Sequence, residues 1–273
     1  MATLVKEYAE QQVLNERRAV VVGAGASGLA AAALLHALGA DVTLADENPD
    51  LDRERVLARA PNARIVTGTF EAATFGDADV VVLSPGVPPG RLAAALADVE
   101  PRRVVAELEL ASWFTDTPII AVTGTNGKTT TVTLISDILK AAGKDVFTGG
   151  NIGTPLSEHV LAGDEADVLV LEVSSFQLMH CAQLRPAVGV LLNISANHLD
   201  WHADMDEYLD AKLRLFARQG EGDLALLPEA DRTLVEPRLR TGAEVRWFAP
   251  TGRLEHPGMA RAHRTGGGHH RAP

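Results

Sequence analysis

Lysine, threonine and glycine converge in Ala121-Val-Thr-Gly-Thr-Asn-Gly-Lys-Thr-Thr-Thr131. The stretch follows a short apolar run, Pro118 to Val122, and opens a helix-like segment, Val132 to Ala142. A strand, a Gly-rich turn, then Lys-Thr and a helix is an arrangement that holds a nucleoside triphosphate. Loop amides face phosphate oxygens, and the helix N-terminus adds partial positive charge. Lys128 would reach the outer phosphates and Thr129 would supply a hydroxyl to Mg²⁺. The loop is not a standard Walker A: Val122 stands where that pattern has its first glycine. An unliganded strand-to-helix turn is the alternative, although Gly-Lys-Thr at such a junction has few structural uses.

A second glycine turn, Gly23-Ala-Gly-Ala-Ser-Gly28, follows a valine run and precedes an Ala-rich helix. Asp46 ends the next strand. This is the G-x-G-x-x-G pattern, which taken alone suggests NAD or FAD with the pyrophosphate on the helix N-terminus. A tight turn without ligand is the other reading. Ser84-Pro-Gly-Val87 ends a further strand of the same unit. Two such loops at strand ends favour a bound diphosphate without saying which.

Further along come Gly149-Gly-Asn-Ile-Gly153, Leu171-Glu-Val-Ser-Ser-Phe-Gln-Leu178, Asn193-Ile-Ser-Ala-Asn-His-Leu-Asp200 and Tyr208-Leu-Asp-Ala-Lys-Leu-Arg214. Glu172 closes a strand beside the lysine loop, where a carboxylate can meet Mg²⁺ carried by ATP. His198 follows another strand of that unit. A lone histidine is usually structural, and its placement beside Glu172 argues for the metal. Lys212 by itself reads as a solvated helix residue.

Two α/β units would have to position these groups, each alternating buried strands with helices and hence built on parallel sheets. The first reads as strands Ala19–Val22, Asp41–Ala45, Arg64–Val66 and Asp79–Leu83, with helices Leu29–Leu38, Leu51–Ala60 and Arg91–Ala97. The second reads as strands Ile119–Val122, Asp145–Phe147, Val168–Glu172, Val188–Asn193 and Asp223–Leu226, with helices Thr130–Ala142 and Met205–Ala217. Thr-Asp-Thr-Pro at 115–118 breaks a helix that starts near Glu107 and marks the boundary. The 273 residues divide into 1–115, 116–250 and a tail, 251–273. The tail is rich in Arg, His and Gly and is expected to be disordered.

A formal charge of −11 argues against general nucleic-acid binding. One cysteine, Cys181, excludes an intramolecular disulfide and fits a reducing, cytoplasmic location. Met1 to Leu14 has no apolar core of a signal peptide. Ala19 to Ala40 is uncharged and long enough to cross a bilayer, but its Ala and Gly content makes it weakly hydrophobic and its glycine spacing reads as strand, turn and helix.

Taken together these segments resemble the Mur ligases, the ATP-dependent amino-acid-adding enzymes of peptidoglycan synthesis. Thr-Gly-Thr-Asn-Gly-Lys-Thr-Thr is similar to that family's P-loop, and Glu172-Val-Ser-Ser-Phe-Gln-Leu178 resembles its D-glutamate-adding branch. The resemblance covers roughly residues 19–250. It implies a Rossmann-like N-terminal domain followed by a P-loop-type central ATPase domain with a mainly parallel sheet. It implies a monomer that takes ATP, Mg²⁺, UDP-N-acetylmuramoyl-L-alanine and D-glutamate. Gly124, Thr125, Asn126, Gly127, Lys128, Thr129 and Thr130 would then hold ATP, while Thr129, Glu172 and His198 would hold Mg²⁺. Lys128, His198 and Lys212 would be the catalytic set, with Lys212 at the position this family carbamylates. Gly25, Ala26, Ser27, Asp46, Glu47, Ser84 and Gly86 fall on UDP-sugar positions, with Asn151 also contacting that substrate. Asn197 replaces the acidic residue usual before the metal-site histidine. The family's later His-Asn-x-x-Asn segment and third domain are not found, which suggests a truncated form with little ligase activity. The alternatives are a non-catalytic UDP-sugar- or nucleotide-binding remnant, another Mur-type ligase, or, from the first glycine turn alone, a Rossmann oxidoreductase.

Overall fold

The computed structural model describes residues 14–163, 165–195 and 201–249. The readings made on residues 1–13, on Asn197 and His198, and on the tail 251–273 lie outside the described residues.

The chain is an α/β protein with two all-parallel sheets. The first contains β1 (Arg18–Val22), β2 (Asp41–Asp46), β3 (Arg64–Thr67), β4 (Val80–Leu83) and β5 (Val104–Ala106), in the order β3-β2-β1-β4-β5. The second contains β6 (Ile119–Thr123), β7 (Val146–Gly150), β8 (Val168–Glu172), β9 (Val188–Leu191), β10 (Leu224–Pro228) and β11 (Glu244–Phe248), in the order β11-β10-β9-β6-β8-β7. Helices are α1 (Ala26–Ala37), α2 (Arg53–Arg59), α3 (Ala72–Phe75), α4 (Pro89–Leu92), α5 (Glu107–Ser112), α6 (Lys128–Ala141), α7 (Leu156–Ala162), α8 (Ser175–Met179), α9 (Met205–Leu213) and α10 (Arg232–Val235).

The strands follow from runs such as Ala19-Val-Val-Val22, β-branched and buried on both sheet faces. Helix α1 is buried nearly all round, from Gly28 to Leu35, because it lies between the first sheet and helices α5 and α7. A helix enclosed in this way carries no polar face. That accounts for the uncharged Ala19–Ala40 stretch, and no described helix is long and apolar enough to cross a membrane. Leu34 and Leu35 are fully buried there, each contributing about 1.5–3 kcal/mol of transfer free energy.

Several elements differ from the sequence expectation. Helix α2 starts at Arg53 because the Asp52 carboxylate caps the Arg55 amide at 3.1 Å. The expected helix Arg91–Ala97 is a single turn, α4, continued by hydrogen-bonded turns such as Leu96 N–H to Leu92 O, 2.9 Å. The helix expected over Met205–Ala217 tightens after Leu213 into a 3₁₀ turn, Arg214–Phe216. Strands β5 and β11 and helices α7 and α8 were not read from the sequence.

The two sheets are joined by one continuous apolar core, running from Val21 and Leu34 through Leu108 and Leu156 to Leu171 and Leu191. Two buried carboxylates of α5 stitch the joint. Glu107 Oε1 accepts the Ser157 amide at 2.6 Å, at the start of α7. Glu109 accepts the amides of Gln183 and Leu184 at 2.7 and 2.9 Å, and the Trp113 indole N–H at 3.2 Å. The Ala106 amide donates to His180 O at 3.0 Å, and Arg59 pairs with Glu158 across the same seam.

Candidate functional site

The loop after β6 leaves the strand through Gly124, whose φ of 147° suits glycine, and enters α6 through Gly127 at φ 83°. A Cβ on Gly124 would stand 3.0 Å from the Leu192 side chain. Asn193, just past β9, grips the loop from the side. Its amide side chain accepts from Asn126 N–H at 2.9 Å and donates to Asn126 O at 3.0 Å, while its carbonyl accepts from Thr125 N–H at 3.1 Å. Thr125 turns inward, accepting from the Ser195 amide at 3.0 Å and meeting the Tyr208 hydroxyl at 3.2 Å. Two loop amides are thereby committed to the protein. The donors directed outward are those of the first turn of α6, which have no acceptor within the helix.

Among the described residues, strand ends bring Thr129, Asn151 and Glu172 together. Glu172 terminates β8 beside the loop and is buried. It accepts from Thr129 Oγ1 at 2.7 Å and from Asn151 Nδ2 at 3.1 Å, and its carbonyl takes the Asn151 amide at 2.8 Å. Gly150 makes this approach possible, since a Cβ there would lie 2.4 Å from Glu172 O. Asn151 therefore sits with Glu172 rather than with the loops of the first sheet. A hydroxyl, a carboxylate and a carboxamide oxygen form a hard-oxygen donor set of the kind Mg²⁺ takes together with phosphate oxygens.

Lys128 folds over the loop, donating to Gly124 O at 3.0 Å and Thr125 O at 3.1 Å. Lys212, from α9, reaches the same loop from beneath and is buried. Its ammonium meets Gly124 O at 3.0 Å and Thr123 Oγ1 at 3.4 Å, 4.5 Å from the centre of the Tyr208 ring. Burial, reinforced by the charge of Lys128, brings its pKa down to about 7. The solvated-helix reading of Lys212 is thus corrected.

At the first sheet, the loops after β1 and β4 lie side by side where the strand order reverses. Gly23 has φ 91°, and a Cβ on Gly28 would strike Gly23 O at 1.8 Å, so both glycines are required by the turn itself. Gly25 and Gly86 differ: neither has a positive φ, and a Cβ at either meets nothing within 4 Å. Neither conformation nor packing asks for glycine there. Ala26 and Ser27 open α1, whose N-cap Gly25 offers no side-chain cap. Asp46 orders the loop, accepting the Ala24 amide at 2.6 Å and the Asn48 amide at 2.8 Å. Glu47, paired with Arg91, lines the groove that these loops enclose, together with Gly86 and Phe70. Ser84 Oγ donates to Gly23 O at 3.3 Å and ties the two loops.

A cleft between the two loop systems was not foreseen. Ser84, Val87, Phe176, Gln177 and Trp201 line it. Gln177 is buried, caps α8 through its carboxamide oxygen, and leaves Nε2 without a hydrogen-bond partner. Phe176 and Trp201 pack with centroids 4.2 Å apart and rings tilted by 39°, and buried His202 meets Ser175 Oγ at 2.9 Å. The Ser-Ser-Phe-Gln motif was visible in the sequence, but nothing in it said which side chain turns into the cleft.

Two family models match the chain: Mur ligase MurD-like, N-terminal domain, over residues 17–105, and Mur ligase middle domain over residues 122–252. The chain is 52% identical over 257 residues to the UDP-N-acetylmuramoylalanine--D-glutamate ligase of Oleidesulfovibrio alaskensis, covering 89% of this chain and 57% of that protein. It is 50% identical over 253 residues to the enzyme of the same name from Nitratidesulfovibrio vulgaris, covering 90% and 57%. The chain thus spans a little over half the length of the curated relatives it matches. Among solved structures it is similar to the UDP-N-acetylmuramate:L-alanyl-gamma-D-glutamyl-meso-diaminopimelate ligase of Neisseria meningitides, with a TM-score of 0.51 and 20% identity, covering 84% of this chain and 78% of that one. That likeness concerns the fold.

Proposed function

The chain belongs to the Mur ligase family, as a MurD-like N-terminal domain followed by a Mur ligase middle domain, and we propose that it serves ATP-dependent addition of D-glutamate to UDP-N-acetylmuramoyl-L-alanine. The observation that carries the reading is the contact of Thr129 with Glu172 at 2.7 Å beside the open N-terminus of α6.

In this reading the α6 N-terminus and the Gly124–Thr130 loop hold the β- and γ-phosphates, and Lys128 offsets charge that develops on the transferred phosphoryl group. Thr129 and Glu172, with His198 from outside the described residues, would hold Mg²⁺, which when bound supplies Lewis-acid neutralisation of the phosphate oxygens. The loops at Gly25–Ser27, Asp46–Glu47 and Ser84–Gly86 take the uridine diphosphate. The muramoyl-alanine arm runs through the cleft past Phe176 and Gln177 toward Asn151, with Gln177 Nε2 as a donor to one of its carbonyls. The terminal carboxylate attacks the γ-phosphorus, ADP leaves, and an acyl phosphate forms. The D-glutamate amine then attacks the acyl carbon, losing a proton as phosphate is expelled. The site would work in the cytoplasm, where ATP and the UDP-sugar are made available together.

Calorimetric titration with Mg-ATP and with UDP-N-acetylmuramoyl-L-alanine tests the assignment. Both should bind the chain, each at its own sheet. Failure of Lys128→Ala to weaken Mg-ATP would remove the β6 loop from the reading.

A further inference from the structure

His202 belongs to none of the sequence motifs that hold the expected ligands, yet its buried ring touches α8 on one side and α9 on the other. Its Nε2 lies 2.9 Å from the Oγ of Ser175, the first residue of α8. Its flat face stacks on Phe176, with centroids 5.4 Å apart and planes 10° from parallel. It stands across the Tyr208 ring at 62°, with centroids 5.2 Å apart. The Tyr208 hydroxyl in turn reaches Thr125 Oγ1 at 3.2 Å, in the loop after β6. Glu207 fixes the turn that carries His202: its carboxylate accepts the Ala203 amide at 2.6 Å and stands 3.8 Å from His202 Nδ1. That carboxylate favours a proton on Nδ1, which leaves Nε2 to accept from the Ser175 hydroxyl. Asp204 then caps α9 by accepting the Glu207 amide at 2.8 Å. One imidazole is thereby wedged between the cleft wall, where Phe176 and Gln177 stand, and the ring that props the β6 loop.

We propose that His202 is a positioning residue that sets the cleft wall and the β6 loop in register for their two ligands. This rests on the reading in which the cleft takes the muramoyl-alanine arm and the β6 loop takes Mg-ATP. In that reaction the carboxylate of the arm has to meet the γ-phosphorus, and a misplacement of about 1 Å costs about a hundredfold in rate. One rigid group that touches both supports fixes their separation, where two independent supports would each drift alone. Imidazole suits the post. Its flat face serves Phe176, its perpendicular setting serves Tyr208, and a ring nitrogen serves Ser175, all from one short side chain. Phenylalanine would lack the nitrogen. Glutamine would keep an acceptor near the place of Nε2 and lose the ring. The two arms are separable. The Ser175 arm ends at the cleft, where α8 presents Phe176 and Gln177. The Tyr208 arm ends at Thr125.

The parent and variants of the full chain are titrated by calorimetry with UDP, with UDP-N-acetylmuramoyl-L-alanine and with Mg-ATP. The gain in affinity of UDP-N-acetylmuramoyl-L-alanine over UDP reads the cleft, and Mg-ATP reads the loop. His202→Ala should lower both readings about three- to tenfold, the scale of one lost hydrogen bond, and leave UDP unchanged. Ser175→Ala should lower the cleft reading alone, and Tyr208→Phe the loop reading alone. His202→Gln should restore the cleft reading but not the loop reading. Should His202→Ala fail to fold, the other three variants carry the same test, since each nearly keeps the size of the side chain it replaces. Undiminished binding by folded His202→Ala would overturn the proposal. So would losses that extend to UDP at the first sheet, or losses in Ser175→Ala and Tyr208→Phe that do not divide between the two ligands. A parent that binds neither UDP-N-acetylmuramoyl-L-alanine nor Mg-ATP would remove the underlying reading of the two sites, whereas a parent that binds both, with variants that match it, would remove the role of His202 alone.

Discussion

Lys128 and Lys212 donate to one and the same acceptor, the carbonyl oxygen of Gly124, each at 3.0 Å. One lysine approaches from the helix that the loop opens, the other from α9 beneath it. Two ammonium groups on one carbonyl disfavour each other's charge, and the more buried one yields its proton first. Lys212 is that one, with its pKa lowered by burial and then by Lys128 to about 7.

A lysine with a neutral amine near pH 7 adds to carbon dioxide: the nitrogen forms a bond to carbon, a proton is released, and a carbamate results. Protein equilibrated with ¹³C-bicarbonate should show a carbamate carbon that grows in as pH passes about 7 and vanishes in Lys212→Arg. A signal that survives that substitution would assign the adduct elsewhere. A further consequence concerns stability. Because the folded pKa is depressed from 10.5 to about 7, the unfolded chain binds the extra proton between those values, and Lys212 penalises folding less as pH rises through that window. Lys212→Met should flatten this part of the stability profile.

Lys128→Ala should abolish measurable Mg-ATP binding, since Lys128 is the lysine of the loop itself. Glu172→Gln should weaken Mg-ATP more than metal-free ATP, because the amide keeps a partner for Thr129 but loses the charge. Titrations with and without EDTA read the difference. Equal losses in the two conditions would place Glu172 outside the metal site.

The glycines of the first sheet should separate fold from ligand. Gly28→Ala drives a methyl into Gly23 O and should cost about 1–3 kcal/mol or more of stability. Gly25→Ala meets nothing within 4 Å, so thermal stability should hold while binding of the UDP-sugar drops. In the parent, the UDP-sugar should bind more tightly than NAD⁺. The reverse order would turn the reading of these loops toward a dinucleotide.

Glu107 predicts a pH effect at the joint of the two sheets. Burial raises its carboxyl pKa to about 7, against the opposing hydrogen bond from the Ser157 amide. The folded chain thus keeps a proton that the unfolded chain loses above 4.5, and the stability this represents is present at low pH and lost as pH rises toward and through about 7. Melting temperatures of the parent should fall more steeply than those of Glu107→Gln between pH 5 and 8. Parallel profiles would mean that the proton is not held at Glu107.

Much of the architecture could be read from the chain because buried strands and β-α turns carry strong local signals. Strands β1 to β4 and β6 to β10, the two glycine turns and the placing of Glu172 at a strand end all came from such signals. What escaped was set by tertiary contact. Strand β5 has three residues, too few to show a period, and exists because β4 offers it an edge. Strand β11 alternates polar and apolar residues at the sheet rim and reads as loop until Val245 and Trp247 find the core. Helix α8 has five residues and is defined by the Ser174–Gln177 capping box rather than by periodicity. For Lys212, spacing on α9 gave no hint of burial; only the fold brings it beneath Gly124. The lysine loop was visible in the sequence, but its pinning by Asn193 depends on β9 standing next to β6.

The seam held by Glu107, Glu109 and the Ala106–His180 hydrogen bond has a consequence for selection by size. With a core shared between the two sheets, the separation between the loops of the first sheet and the Thr129–Glu172 pair is set by the folded chain itself. It works as a caliper. A molecule gripped at both ends must match the gap, and one shorter or longer by a single linking unit keeps only one of its two handholds.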